Sequence, residues 1–511
     1  MAKLSLVAGD LSKQRCDLLL LPVFESDLKE AKNPLKALVA IDQALGGLLL
    51  TAAKEEDFSG KAEQSFTLHT HDKIPAHRVM LLGLGTRQGF DPEVLRLAIG
   101  RGAKAAQKLK AAKLAVALTE TRELEASTRA AVEGLVLGLY KFDRYKTRAK
   151  DEKRSEVKEA RFFLAEGVAK TRDLQRSFDL GCLVAESTNW ARDLVNEPAS
   201  ELSPSGLADR ARKVARAGKL KIEVLGRERI ERLRMGMFLA VAKGSAEAPV
   251  LVHLSYEPTG KAAKAPALAL VGKAITFDSG GLSLKPSESM MAMKGDMAGA
   301  AAVLGAMRVV AQLKPPFPVH AFMGACENMP DGRAFKLGDV LTSRSGKTVE
   351  VVNTDAEGRL VLGDVLTWAN EHKPATIIDV ATLTGAVVVA LGNYIAGVFG
   401  SDDAAVWETL EAARSAGEES WRLPLSELQR DSLKSEIADM KNSGDRWGSS
   451  ITAGLFLKEF VGETPWVHLD IAGTSMSPKE RGYLAKGATG AGVRTLVELV
   501  RERMRTEPTA G

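Results

Sequence analysis

Within Val351-Val352-Asn353-Thr354-Asp355-Ala356-Glu357-Gly358-Arg359-Leu360, two carboxylates stand one residue apart and an arginine follows two positions on. In a loop, acids spaced this way can point into one space, and like charges held that close are costly unless something positive lies between them. Hard carboxylate oxygens suit a divalent cation such as Mg, Mn or Zn. Mostly apolar residues 348–352 lead in and a helical pattern over 359–372 leads out. The pair therefore falls at the carboxyl end of a strand, where open α/β sheets bind ligands. Taken alone, the segment reads equally well as an Asn-Thr-Asp turn capping the next helix, with Arg359 neutralising the acids.

An upstream segment separates these readings. Apolar residues 267–271 precede Gly272-Lys273-Ala274-Ile275-Thr276-Phe277-Asp278-Ser279-Gly280-Gly281, followed by Lys285, Pro286, a Met-rich stretch and Lys294-Gly295-Asp296-Met297-Ala298-Gly299. This is again strand, glycine-rich loop, and a helix opened by an acid, where the helix dipole favours a carboxylate. Lys273, Asp278, Lys285 and Asp296 are candidates for the cavity that holds Asp355 and Glu357. Metals about 3.5–4 Å apart need bridging carboxylates and can activate a water between them. Singly, each residue reads as a surface charge or a helix cap; glycine-flanked acids and lysines gathered at strand ends point to a site.

These two segments resemble the signatures of the cytosolic leucyl aminopeptidase family, the hexameric dinuclear metallopeptidases. The octapeptide Asn-Thr-Asp-Ala-Glu-Gly-Arg-Leu, that family's hallmark, stands at residues 353–360. The similarity continues through Ala191-Arg192-Asp193-Leu194-Val195-Asn196-Glu197-Pro198, Glu327-Asn328-Met329-Pro330, Ala381-Thr382-Leu383-Thr384-Gly385-Ala386 and His468-Leu469-Asp470-Ile471-Ala472-Gly473, and so covers roughly residues 185–500.

The resemblance implies a metal-dependent aminopeptidase that releases N-terminal amino acids, preferably leucine and similar apolar residues, by two-metal activation of water. It implies two divalent ions per subunit, Mn²⁺ or Zn²⁺: one on Asp278, Asp355 and Glu357, the other on Lys273, Asp278, Asp296 and Glu357. Asp278 and Glu357 would bridge. Lys273 must be neutral to donate, and nearby cations and desolvation both push a lysine pKa down. Lys285 and Arg359 are the implied catalytic residues. The lysine would polarise the scissile carbonyl and stabilise the oxyanion; the arginine, with the backbone at Leu383, would hold a bicarbonate ion acting as general base. The implied substrate pocket is a shallow apolar cleft at Met293, Thr382, Gly385 and Ala472. Ala274 departs from the family's usual glycine, and Ser475 replaces a bulkier apolar residue of some members; both bear on substrate preference and neither on the chemistry. The resemblance also implies a homohexamer acting on peptides.

The elements that must position these residues belong to an α/β protein. At 511 residues the chain is too long for one core. The expected division is an N-terminal α/β domain over 1–165, a linking helix over 166–190, and a C-terminal catalytic domain over 191–511 with a central mixed sheet flanked by helices. In the first domain, 18–23, 78–84 and 113–118 read as strands, and 34–53 and 92–109 as helices opened by Asn33-Pro34 and Asp91-Pro92. Residues 141–176, with twelve Lys/Arg against seven Asp/Glu, read as a long solvated helix.

A net charge of +5 argues against an obligate nucleic-acid binder without excluding a local basic patch. No apolar run reaches the ~18 residues of a membrane span, and the N-terminal residues do not read as a signal peptide. Cys16, Cys182 and Cys326, with no C-x-x-C, read as reduced core cysteines in a cytoplasmic protein. The glycines of 83–89 lack dinucleotide-binding spacing. The seven histidines are scattered without metal-ligand spacing; His69 and His71 read as an exposed strand and His468 as structural. A dinuclear phosphoesterase and a non-catalytic or DNA-binding scaffold are the competing readings. The lysine near the metals and the apolar pocket argue against the first, and the intact set of ligand residues against the second.

Overall fold

The computed structural model describes residues 2–29, 35–119, 121, 123–147 and 156–506. The chain forms two compact units, Met1–Glu186 with Lys479–Lys486, and Ser187–Pro478 with Gly487–Gly511.

In the first unit, β1 (Lys3–Val7), β2 (Leu18–Val23), β3 (Ser65–His69), β4 (Arg78–Gly83), β5 (Lys113–Ala117) and β6 (Glu159–Phe163) form one sheet in the order β1-β6-β5-β2-β4-β3. All its pairings are parallel except that of β3 with β4. β2 is buried on both faces, as its unbroken apolar run requires. Leu18 and Leu20 pack with Leu95, Ile99 and Leu135 of the helices Pro92–Lys108 and Leu124–Gly138. Leu19 and Leu21 pack with Leu38, Ile41 and Leu49 of the helices Lys36–Ala44 and Leu48–Glu55. The Asp91 carboxylate caps Pro92–Lys108 by accepting from Glu93 N, as its sequence signal predicts.

Two expectations are corrected here. The helix expected over 34–53 breaks into two, because Gly46 and Gly47 take φ of +69° and +80°, which a continuing helix does not allow; Asn33 and Pro34 lie outside the described residues. The charged stretch 141–176 is not one helix: it contains β6, whose Ala160, Phe162 and Phe163 are buried while Arg161 is exposed. A helix begins only at Arg172 and runs to Asn196, later and further than the linking helix expected over 166–190. Residues 148–155 of the stretch lie outside the described residues.

In the second unit, β7 (Lys221–Leu225), β8 (Val250–Tyr256), β9 (Leu268–Asp278), β10 (Val319–Asn328), β13 (Thr376–Ala381), β14 (Ala396–Gly400), β15 (Ser420–Arg422) and β17 (Trp466–Asp470) make a mixed sheet in the order β15-β14-β17-β13-β9-β10-β8-β7. Its centre, β17-β13-β9-β10, is parallel throughout, so four carboxyl ends lie along one edge. A side sheet holds β11 (Val340–Thr342), β12 (Thr348–Glu350) and β16 (Met440–Lys441). The strand leading to Asp355 is therefore not in the main sheet. It is the three-residue β12, committed to β11 on one side and β16 on the other.

Ala269, Val271 and Ile275 of β9 pack with Leu360, Val361 and Val365 of the helix Gly358–Glu371. The opposite face of β9 meets the helix Ala298–Leu313, where Gly272 lies against the Ala300 backbone. By composition the helical stretch Ser287–Leu313 is apolar enough to cross a membrane, but 83% of its most apolar window is buried, as in a core helix.

A Cβ added to Gly299 would lie 1.9 Å from Val380 O and 3.0 Å from Lys273 N, so this helix reaches the sheet only because a hydrogen stands there. Gly299→Ala is predicted to destabilise the second unit by about 3 kcal/mol, the upper range of overpacking costs. The check is a lowered urea midpoint; an unchanged midpoint would show that the helix can shift without penalty.

Candidate active site

The carboxyl ends of the four central strands carry Asp470 (β17), Thr382 just past β13, Asp278 (β9) and Asn328 (β10). An irregularity in β9 brings its two functional residues together. The register with β10 shifts so that Cys326 faces Ile275 while Glu327 faces Phe277, leaving Thr276 as an extra residue. Lys273 and Asp278, five residues apart, would lie on opposite faces of a regular strand; one bulged residue puts them in phase.

Lys273 is buried, and its Nζ lies 2.8 Å from Asp296 Oδ1, 3.0 Å from Glu357 Oε1 and 2.9 Å from Thr382 O. Burial alone would lower its pKa, but Asp296, Glu357 and Asp278 outweigh that and hold it above the ordinary lysine value. A Cβ at Gly358 would meet Lys273 Cε at 2.4 Å, so glycine in the hallmark segment makes room for this lysine. Asp296 stands just ahead of the helix Ala298–Leu313 without capping it; Oδ1 accepts from Lys273 and from Thr382 Oγ1 at 2.8 Å. Its Oδ2 is buried without a partner, and burial pushes its carboxyl well above the usual range.

Lys285 reaches Asp278 Oδ2 at 2.9 Å and Asp355 Oδ1. Asp278 is raised to about 6 by burial and by Glu357, against the pull of the two lysines. Burial acts the same way on Glu357, yet Lys273 and Lys285 keep its carboxyl below the ordinary value. Asp278, Asp355 and Glu357 each bring an oxygen within 4.8 Å of the other two.

Thr354 joins the two loops, its hydroxyl donating to Gly280 O at 2.7 Å and accepting from Ser283 N at 2.7 Å. Asn328 Nδ2 donates to Asp278 Oδ1 at 2.8 Å and to Thr354 O at 2.9 Å. Asn442 accepts from Val352 N at 2.9 Å and donates to Asn353 O at 2.6 Å. The Asn353 turn also forms, with Asp355 N donating to its side chain at 2.9 Å. Arg359 does not neutralise the acids by contact, however. Its Nη1 donates to Asn442 O at 3.0 Å, its Nε is buried without a partner, and burial pulls its pKa down to about 10.

Asp470 ties the pocket candidates together. It accepts from Leu383 N at 3.1 Å, Ala472 N at 3.2 Å and Thr384 Oγ1 at 2.7 Å, and Thr384 in turn caps the helix Gly385–Leu391. Met293 O accepts from Asp296 N at 3.3 Å. Lys273, Asp278, Lys285, Asp296, Asp355 and Glu357 thus come together, with Thr382 and Met293 bonded to them, while Arg359 touches none of the acids and Gly385 and Ala472 do not reach the cluster; Thr354, Asn328, Asn442 and Asp470 complete the bonding around it. Asn328 and Asp470 lie inside quoted motifs, but an uncharged amide or a strand-end acid has no spacing signal of its own. His468 is structural, its Nδ1 2.6 Å from Asp379 Oδ1 in the core.

The donor set fits divalent cations: clustered carboxylates, one buried oxygen left unpartnered, and lysine ammoniums now supplying the compensating charge. Fold and site together define a two-unit α/β protein with a carboxylate-lysine centre suited to divalent ions. Residues 189–497 match the model of the cytosol aminopeptidase family catalytic domain, and residues 20–149 that of its N-terminal domain. A probable cytosol aminopeptidase of Alkaliphilus metalliredigens is 44% identical over 98% of this chain and 99% of its own; one of Solibacter usitatus is 46% identical over 96% and 97%. Among solved structures, a mutant of tomato leucine aminopeptidase superposes with a TM-score of 0.88 at 37% identity over 98% of this chain and 97% of its own. The bottromycin maturation enzyme BotP, in complex with Mn, gives 0.83 at 35% over 96% and 99%. The chain belongs to the cytosol aminopeptidase family. It is a metal-dependent aminopeptidase.

Gly358→Ala is predicted to push Lys273 off Asp296 and Glu357 and lower peptide hydrolysis by a factor on the order of 10², the usual effect of an ångström-scale misplacement. Steady-state rates on a dipeptide, with circular dichroism as a folding control, check this. Unchanged rates would mean that Lys273 has space to retreat.

Proposed function

We propose that the protein releases N-terminal leucine and similar apolar residues from peptides with two divalent ions per chain. The observation that carries the reading is the shared buried space of Asp278, Asp355, Glu357, Lys273 and Asp296. Asp278, Asp355 and Glu357 would hold one ion, and Lys273, Asp278, Asp296 and Glu357 the other. The unpartnered Asp296 Oδ2 supports the second set, and the Mn in the BotP structure supports Mn²⁺, with Zn²⁺ the other ion the donor set suits. When bound, such ions supply a water activated for attack and a Lewis acid for the carbonyl.

The chain's own groups do the rest. Lys285, held between Asp278 and Asp355, donates to the scissile carbonyl oxygen as negative charge develops there. Arg359, buried with a free Nε, holds a small anion, and bicarbonate is the one that would serve as base. The Leu383 N–H is given to Asp470, so Leu383 would meet that ion only through its carbonyl, accepting from the bicarbonate O–H. Met293, Thr382, Gly385 and Ala472 form the pocket for the leaving residue. The resemblance to the family supports reading the protein as a cytoplasmic homohexamer that acts on short peptides.

The reading is tested by hydrolysis of leucine p-nitroanilide with Mn²⁺ before and after chelation, with metal counted per chain. Two ions, and activity lost and regained with them, are expected; full activity after chelation would overturn it. Lys285→Met, which keeps the stem and removes the charge, should lower kcat by 10²- to 10³-fold, to order of magnitude, with metal retained. A near-normal kcat would end the assignment. Light scattering should give six times the 54.7 kDa chain mass; a fully active monomer would defeat the hexamer.

A further inference from the structure

Two walls of the proposed pocket come from segments far apart in the chain: Met293 sits on the short 3₁₀ turn Met293–Gly295, and Ala472 on the strap that follows β17. The strap is fixed by its own backbone. Ser475 N donates to Ile471 O at 2.8 Å, and Thr489 N donates to Ser475 O at 3.0 Å. It then enters a two-stranded hairpin, β18 (Met476–Ser477) with β19 (Gly487–Ala488), in which Met476 lies opposite Ala488.

The turn rests on this hairpin and on the end of the helix Arg172–Asn196. A Cβ placed on Gly295 would lie 3.8 Å from Met476 Sδ and 3.5 Å from Val195 Cγ1, so both side chains stand against its open face at van der Waals distance. Lys294 Nζ donates to Asn196 O at 2.6 Å, and Asn196 Oδ1 accepts from Ala488 N at 3.3 Å. Helix end, turn and hairpin are therefore tied together, with the Met476 side chain between the hairpin and the turn.

We propose that Met476 is a positioning residue that decides which side chain the pocket accepts, by holding the Met293 turn at a fixed spacing from the strap that carries Ala472. This role presupposes the pocket of Met293, Thr382, Gly385 and Ala472 proposed above.

A thioether on three rotatable bonds fills an irregular gap of this kind. Met476 is only half-buried, so shortening it gives the turn room to move and does not seal a void inside the core. The movement stops at Gly295. Asp296, next in the chain, is anchored separately, its Oδ1 accepting from Lys273 Nζ and from Thr382 Oγ1, each at 2.8 Å. The carboxylate centre and Lys285 then keep their places while one apolar wall retreats. Space for a single methylene in an apolar pocket changes the preference between substrates by about 10- to 200-fold. If Met476 were packing alone, its loss would lower stability and slow every substrate by the same factor.

The test compares kcat/KM for leucine and phenylalanine p-nitroanilide on the full chain loaded with Mn²⁺. Met476→Ala should raise the phenylalanine-to-leucine ratio about tenfold. The change should fall on KM, with kcat on leucine and metal per chain unaltered. Met476→Leu, close in volume, should restore the original ratio. Lys294→Ala, which frees the same turn from Asn196, should shift the ratio in the same direction as Met476→Ala. Trp407→Ala, at an exposed position on the helix Asp403–Ala416, should leave it unchanged. An unchanged ratio in Met476→Ala, an equal loss on both substrates, or a Met476→Leu variant that shifts as far as Met476→Ala would overturn the role. A native chain that cleaves neither anilide would bring down the pocket reading itself, and this role with it.

Discussion

The catalytic unit is organised around removing several like charges from water at once. Asp278 and Glu357 are buried with oxygens within 4.8 Å of each other, and buried Asp296 meets Glu357 across one ammonium, an arrangement that repels itself unless cations are built in. Lys273 and Lys285 supply that charge from within the same segments that bring the acids. Neither lysine is a surface residue that happens to reach inward; Lys273 is in the middle of the central strand. Once an ammonium is fixed there, the neighbouring backbone must leave it space and the acids must arrive from other elements.

That requirement explains the small residues around it. Gly358 opens the helix that follows Glu357 because a methyl group would occupy the lysine's place, and Gly299 lets the opposite helix touch the backbone of β13 beside Lys273 N. The bulge at Thr276 turns Asp278 to the side that Lys273 faces. Thr354 and Asn328 then lock the two loops to each other without adding charge. A neutral network suits a cluster whose charge balance is already set.

Arg359 stands apart from this balance. Its guanidinium is buried, bonded to a carbonyl and otherwise open, a costly state for a cation that an anion would relieve. Asp470, bonded to Leu383, Thr384 and Ala472, spends its charge on tying those two loops together. The carboxylate centre and the loops at Asp470 thus share an edge of the sheet while drawing on separate acids.

Much of the centre was legible in the sequence, because ligand chemistry needs particular residue types in two short segments. Lys273, Asp278, Lys285, Asp296, Asp355 and Glu357 could be named from their glycine-flanked setting alone. Local signals were equally direct where one residue decides the outcome, as with Asp91 before Pro92. What failed were inferences from averages over a stretch: the charged run 141–176 hid β6, whose alternation spans only five residues, and the apolar lead-in to Asp355 belongs to a side sheet. Sequence also could not place Asn328, Asn442 or Asp470, nor bring Met476 against Gly295. Those positions depend on which strands become neighbours and where one residue bulges. Such choices are settled by burial and hydrogen bonding summed over the whole sheet, and no single segment contains them.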